Sequence, residues 1–211
     1  MARARAARLT PYMSENVATA RNTTAARKGR GTGLVLGAAT VAMGLIAGTF
    51  YIFACGVMPG LARSSDRAYI EVMQDINAAF ENAVFFASFM GALLLTAVAA
   101  WMLRRGPVRW WVLAALLAYF LTFVLTVTVN VPLNDELADA GDPAKIADPA
   151  AVRADFEDTW VAWNVLRALL STLALGLLVR ALVVFGRTRR DGTGADQSAY
   201  LDPAAGSSAS R

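Results

Sequence analysis

The sequence predicts an all-α fold: an integral membrane four-helix bundle with an outer amphipathic helix and disordered tails. Three observations lead there. Of 211 residues, 56% are hydrophobic and 17% charged, with a mean hydropathy of +0.45; soluble domains run nearer half apolar and a quarter charged. Four stretches are nearly free of charge and long enough for the roughly 20 apolar residues that cross a bilayer. The ionic residues are sorted between the connections, basic on one side and acidic on the other.

Residues 1–32 are alanine-rich and basic, with Arg3, Arg5, Arg8, Arg21, Arg27, Lys28 and Arg30 against Glu15 alone. This composition predicts a disordered basic tail. Placed directly before a span, it reads as a cytoplasmic flank rather than a nucleic-acid-binding arm, so no nucleic acid is expected as partner. Met13 is a second candidate start.

The transmembrane domain is expected over 33–186, with spans at about 34–57, 83–103, 110–130 and 160–184. The first carries Gly33/Gly37 and Gly44/Gly48, small-residue pairs that let helices approach closely. They serve packing within the chain, or a homodimer through Gly44/Gly48. Gly56, Pro59 and Gly60 are expected to stop this span at a water interface. Behind Ser64-Ser65-Asp66, an N-cap signal, Tyr69, Ile70, Met73, Ile76, Asn77 and Phe80 recur at helical spacing. They predict an outer amphipathic helix over about 66–81. Arg104-Arg105-Gly106-Pro107 separates spans two and three, and Trp110-Trp111 opens span three with interfacial aromatics. NVPLND, Asn130–Asp135, comes next and is followed by an acidic loop with Gly141-Asp142-Pro143. Asp148-Pro149 marks the start of the last helix, with Asp as cap and Pro at the first turn. That helix is long enough for its first turns to stand in water. Residues 187–211 are expected to be a second disordered cytoplasmic tail.

The tails and the 104–109 turn carry 14 Lys/Arg, and the connections 58–82 and 130–158 carry four; acidic residues are reversed, four against twelve. The positive-inside rule then predicts a multi-pass cell-membrane (plasma-membrane) protein with both termini cytoplasmic.

Composition narrows the chemistry. The chain has no histidine, which removes the commonest metal ligand and the usual near-neutral proton carrier. Its one cysteine, Cys55, sits in an apolar run and is expected to be a small buried residue. No EF-hand or HExxH spacing, nucleophile–base pair or phosphate loop is present; Asp135, Glu136, Asp139 and Asp142, or Glu71 and Asp75, offer oxygen ligands for a hard cation but are read as solvated loop carboxylates, so no metal is expected. The unusual stretch is Thr159–Arg167, TWVAWNVLR, where two tryptophans, Asn164 and Arg167 lie near one stripe of a membrane helix. An arginine at that depth is costly unless it faces a cavity or a partner. One reading gathers Asn77, Asn130, Asn134, Trp160 and Trp163 around Arg167 and Asn164 as an outward-facing pocket for a flat, apolar, partly anionic molecule. The other makes the tryptophans an interfacial belt and pairs Arg167 with Glu71, Asp75 or Asp158 as a structural clamp.

GLIAGTFYIFACGVMPGL, MQDIN, NVPLND and W-x-x-W-N-x-x-R occur in this order over about residues 34–186. Together they resemble the anthrone-oxygenase-like family of small four-helix membrane proteins. The resemblance implies an oxidoreductase, a monooxygenase that turns anthrones into anthraquinones with dioxygen and no metal or flavin. It further implies Arg167 and Asn164 as catalytic residues stabilising an enolate oxygen. Asn77, Asn130 and Asn134 would orient the substrate, Trp160 and Trp163 would stack on its rings, and a carboxylate such as Glu71 or Asp75 would act as base. The alternative class is a non-enzymatic membrane protein holding a lipid, quinone or partner in the same pocket.

Overall fold

The computed structural model describes residues 2–201, with side chains described at 23, 27 and 29–190. The elements are α1 (Ala2–Ile52), α2 (Met58–Leu61), α3 (Asp66–Phe80), α4 (Ala83–Met102), α5 (Arg109–Leu125), α6 (Val131–Asp139) and α7 (Pro149–Leu201), and no strand occurs among the described residues. Four helical stretches are long and apolar enough to cross a membrane: Gly29–Leu61, Ala83–Met102, Arg109–Asp139 and Pro149–Arg190. The expected disorder of 1–32 and 187–211 falls largely on residues whose side chains lie outside the described set. Along the backbone, α1 reaches back to Ala2 and α7 runs on to Leu201.

The long helices form a closed ring, α1 against α4, α4 against α5, α5 against α7, and α7 against α1. Ala39, Ala92, Ala99, Ala115, Ala174 and Ala181 are buried between them, with Leu36, Met43, Ile46, Val112 and Leu178 filling the remaining space. Small side chains at helix contacts let backbones approach, which is how helices associate where water supplies no hydrophobic drive. Gly33 meets the Phe185 ring and Gly44 faces Leu175, so both serve the α1–α7 contact, whereas Gly37 and Gly48 face open space. The outer surface is apolar, with Leu34, Leu45, Val84, Leu117 and Leu169 all exposed. At the end carrying the 104–108 turn, Arg104 lies over Trp101, Arg109 over Trp110 and Arg180 over Trp111.

At the opposite end a second core forms from Phe53, Met58, Tyr69, Ile70, Met73, Leu137, Phe156 and Trp160. Here the amphipathic face of α3 lies on the first turns of α7, with α6 beside it. The caps are those the sequence signals: Ser65 accepts from the Ala68 N–H and Asp148 from the Ala151 N–H. Asn82 caps α4 through the N–H groups of Val84 and Phe85, each at 3.0 Å. Three polar side chains hold this end together by reaching backbone carbonyls of another connection. Arg67 bonds Pro143 and Ile146, and Gln74 bonds Leu137 and Gly141. Arg153 bonds Ala62 and Ser64, pairs with Asp66 and Glu157, and lies 4.6 Å over Tyr69. Burial pushes the Tyr69 phenol well above its ordinary range, with the nearby Glu157 carboxylate adding to it.

Two span ends lie farther along than expected, and for the same reason. The first span ends at Leu61, one residue past Gly60, rather than near residue 57, and the third continues beyond Asn130 to Asp139. In both places the helix widens into a single π-helical turn, Phe53–Val57 and Thr126–Asn130, then resumes as α2 and α6. Each π turn ends two residues before a proline, Pro59 or Pro132. A proline lacks the N–H of the regular ladder, and its ring crowds the carbonyl four residues back. Bonds from Met58 N–H to Phe53 and from Val131 N–H to Thr126 span five residues and relieve that crowding. Cys55, in the first of these turns, is exposed rather than buried.

Candidate functional site

The two cores meet around a cavity of about 570 Å³ bordered by α1, α3, α4, α5, α6, α7 and both π turns. Seven of the ten phenylalanines border it: Phe50, Phe53, Phe80, Phe85, Phe86, Phe89 and Phe123. Their rings form a continuous wall. Phe53 meets Phe80 at 5.7 Å, Phe80 meets Phe85 at 4.9 Å, and Phe85 and Phe123 each stack on Phe89, at 5.8 and 5.5 Å. Trp160 closes the wall, 5.7 Å from Phe53 and stacked on Phe156.

Trp160, Asn164 and Arg167 lie at i, i+4 and i+7 of α7, one stripe at 3.6 residues per turn, and all three border the cavity. Their polar atoms are fixed in sequence. The Trp160 indole N–H donates to Asn134 Oδ1 at 2.8 Å. Asn164 Nδ2 donates to the Phe50 carbonyl at 3.2 Å, which turns its Oδ1 toward Arg167, whose Nη2 donates to it at 3.1 Å. Thr126 spends its hydroxyl proton on the Thr122 carbonyl, leaving the oxygen to accept from Arg167 Nη1 at 3.4 Å. The guanidinium lies 4.5 Å over the Phe50 ring and 5.4 Å over Trp160. Such faces stabilise a desolvated cation by about 2 kcal/mol or more.

Arg167 is 4% exposed, and among the described residues no carboxylate pairs with it. The clamp to Glu71, Asp75 or Asp158 is therefore absent. Three buried polar atoms on residues bordering the cavity have no hydrogen-bond partner: Arg167 Nε, Asn130 Oδ1 and Asn77 Nδ2. Each orphaned group costs about 1–3 kcal/mol if left unmet. Their clustering at one void marks a place built to receive a polar group.

Six of the seven residues named from the sequence border the cavity: Asn77, Asn130, Asn134, Trp160, Asn164 and Arg167. Trp163 does not. It lies about 60° round the helix from Trp160 and is only half-buried. Glu71 and Asp75 are exposed on α3 and do not border the cavity either, because they occupy the solvent face that the apolar periodicity leaves over. The carboxylates that do border it are Glu81 and Asp135, both exposed at its edge. Sequence reasoning missed the phenylalanine wall, Thr49 and Thr126. The run F-E-N-A-V-F-F-A-S-F, four rings in ten residues, was the available signal. Among the described residues no three His, Cys, Asp or Glu side chains gather as a metal site.

Residues 80–177 match the family model described as anthrone oxygenase. The matched stretch holds α4 to most of α7, including Asn130, Asn134, Trp160, Asn164 and Arg167, and leaves α1 and Asn77 outside. No curated protein and no solved structure matches the chain. The likeness to the anthrone oxygenase family thus covers residues 80–177, somewhat under half of the chain.

Proposed function

We propose that this protein oxidises a flat polycyclic phenol of the anthrone type with dioxygen, inside the aromatic cavity and without a cofactor. The observation that carries the reading is Arg167: a buried guanidinium beside a 570 Å³ aromatic void, held by Asn164 and Thr126, with no carboxylate partner among the described residues and with Nε unmet. A fixed cation in a dry pocket favours a substrate that ionises there, and an oxyanion is the complement of its free donor.

The chemistry needs little more than positioning. A carboxylate at the cavity edge, Glu81 or Asp135, takes a proton from the ring methylene. The electron pair left behind delocalises onto the carbonyl oxygen, which Arg167 stabilises as a phenolate-like anion. This anion passes one electron to dioxygen, the resulting superoxide and ring radical combine to form the C–O bond at the former methylene carbon, and the proton held by the carboxylate returns to the peroxide to give a hydroperoxide. Loss of water then breaks the O–O bond and the remaining C–H bond and leaves a second carbonyl. Anthrone plus dioxygen thus becomes anthraquinone plus water, the substrate itself being the reductant. The phenylalanine wall and Trp160 hold the rings in place, and Asn77, Asn130 and Asn134 orient the oxygens. The same reading puts the protein in the plasma membrane with both termini cytoplasmic and the cavity toward the outer face.

Purified protein in lipid nanodiscs, given an anthrone and air, tests this. The reading requires one dioxygen consumed per quinone formed, at a rate above spontaneous oxidation. A non-enzymatic holder of a lipid, quinone or partner would bind hydroxyanthraquinones in the same cavity and leave the spontaneous rate unchanged.

A further inference from the structure

We propose that the cavity takes its substrate sideways from the bilayer, through a gap between α4 and the π turn that follows α5. The proposal rests on the aromatic-binding reading above and specifies the source and class of the substrate.

The rim of the cavity has two sectors. Phe86, Val127 and Val131 border the void and are nevertheless 55%, 49% and 42% exposed. Phe86 stands on the first turn of α4 and Val127 in the π turn, both within stretches able to cross a membrane. An apolar side chain exposed at that depth faces hydrocarbon, not water. Below this level the two helices are pinned. The Tyr119 hydroxyl donates to the Phe89 carbonyl at 2.9 Å, and the Phe89 and Phe123 rings stack. The gap is therefore confined to the turns beside the void.

The second sector is polar. Glu81 and Asp135 stand exposed at the rim, and Arg167 is the one cation among the described residues bordering the cavity. A path from water passes these carboxylates, which repel an anion and offer nothing to an apolar ring. A path from the bilayer passes only hydrocarbon and aromatic faces until the molecule meets Arg167. The substrate class that fits is an uncharged polycyclic aromatic dissolved in the membrane, which ionises only after it has entered. Sugar or sulfate conjugates of the same ring system do not fit this route.

The full chain in proteoliposomes, with dihydroxyanthraquinone as a non-oxidisable probe, tests the route by stopped-flow quenching of tryptophan fluorescence. Val127→Phe narrows the gap and is expected to slow both binding and release about tenfold while leaving half-saturation within about twofold, since a path changes rates without changing the end states. Phe86→Ala widens the same gap and is expected to speed exchange several-fold; it keeps the test decisive if Val127→Phe fails to insert. Exchange at wild-type rates in the variants that insert overturns the route, as does a wild-type protein that binds no probe. Gap-dependent binding without oxygen uptake from an anthrone supports the route and removes the oxygenase reading alone.

Discussion

Arg167 Nη2 donates to Asn164 Oδ1 at 3.1 Å, one turn back on the same helix, and the Asn164 amide is itself anchored on the Phe50 carbonyl of α1. The guanidinium is thus oriented by neutral partners, and its charge is left uncancelled.

This arrangement separates function from stability. A buried charge without an ion partner is costly to desolvate, and removing it offsets the loss of its bond to Asn164 Oδ1. Arg167→Met is therefore expected to leave the melting temperature in nanodiscs unchanged or raised. Asn164→Ala is expected to lower stability by about 1–3 kcal/mol, because it strands a guanidinium donor and the Phe50 carbonyl. A destabilised Arg167→Met would show that the arginine is structural.

The two tryptophans of T-W-V-A-W differ in place, and their variants should differ in effect. Trp160→Phe removes the donor to Asn134 and part of the ring wall. Affinity for dihydroxyanthraquinone is expected to fall about tenfold, equivalent to ~1.4 kcal/mol. Trp163→Phe is expected to leave it within about twofold, and fluorescence titration reads both.

Arg153 ties the first turns of α7 to the α2–α3 connection through two carbonyls, two carboxylates and the Tyr69 face. Arg153→Met leaves these groups to water and is expected to cost about 1–3 kcal/mol. The loss should appear as faster hydrogen exchange around residues 62–66, with the core between the long helices unaffected.

Charge predicts the sidedness, and labelling checks it. In a Cys55→Ser background, needed because Cys55 is exposed, Ala140→Cys is expected to react with a membrane-impermeant maleimide on intact cells. Arg105→Cys is expected to stay unlabelled; Gly106 is avoided because its φ of +113° strains any other residue. The reverse pattern would turn the cavity to the cytoplasm.

Much of this was legible in the sequence because it is written in periodicity and polarity. Charge-free runs mark the long helices, the caps at Ser65 and Asp148 stand where side-chain chemistry puts them, and the polar residues inside span four single out one stripe. The phenylalanine wall was not legible, because a ring in a membrane span carries the same hydropathy signal whether it faces lipid, core or void. The helical turns beyond residues 57 and 130 were not legible, since a proline such as Pro59 or Pro132 looks the same whether the helix ends or widens to a π turn and continues. Trp163 was included because one helical turn of spacing does not resolve 60° of rotation. The carboxylates at the cavity edge could not be read from α3, because they come from Glu81, just beyond it, and Asp135 on the unforeseen α6.

The most direct test compares dioxygen uptake by wild-type protein and Arg167→Met in nanodiscs, with an anthrone as substrate and quinone followed in parallel. Losing a preorganised charge at a developing oxyanion costs about 10²–10³ in rate. Wild type is predicted to exceed the spontaneous oxidation rate with one dioxygen per quinone, and Arg167→Met to fall toward that background while still binding the product quinone. Equal rates for the two proteins would contradict a role for Arg167 in the chemistry, and a wild-type rate no higher than the spontaneous one would contradict the oxygenase reading itself.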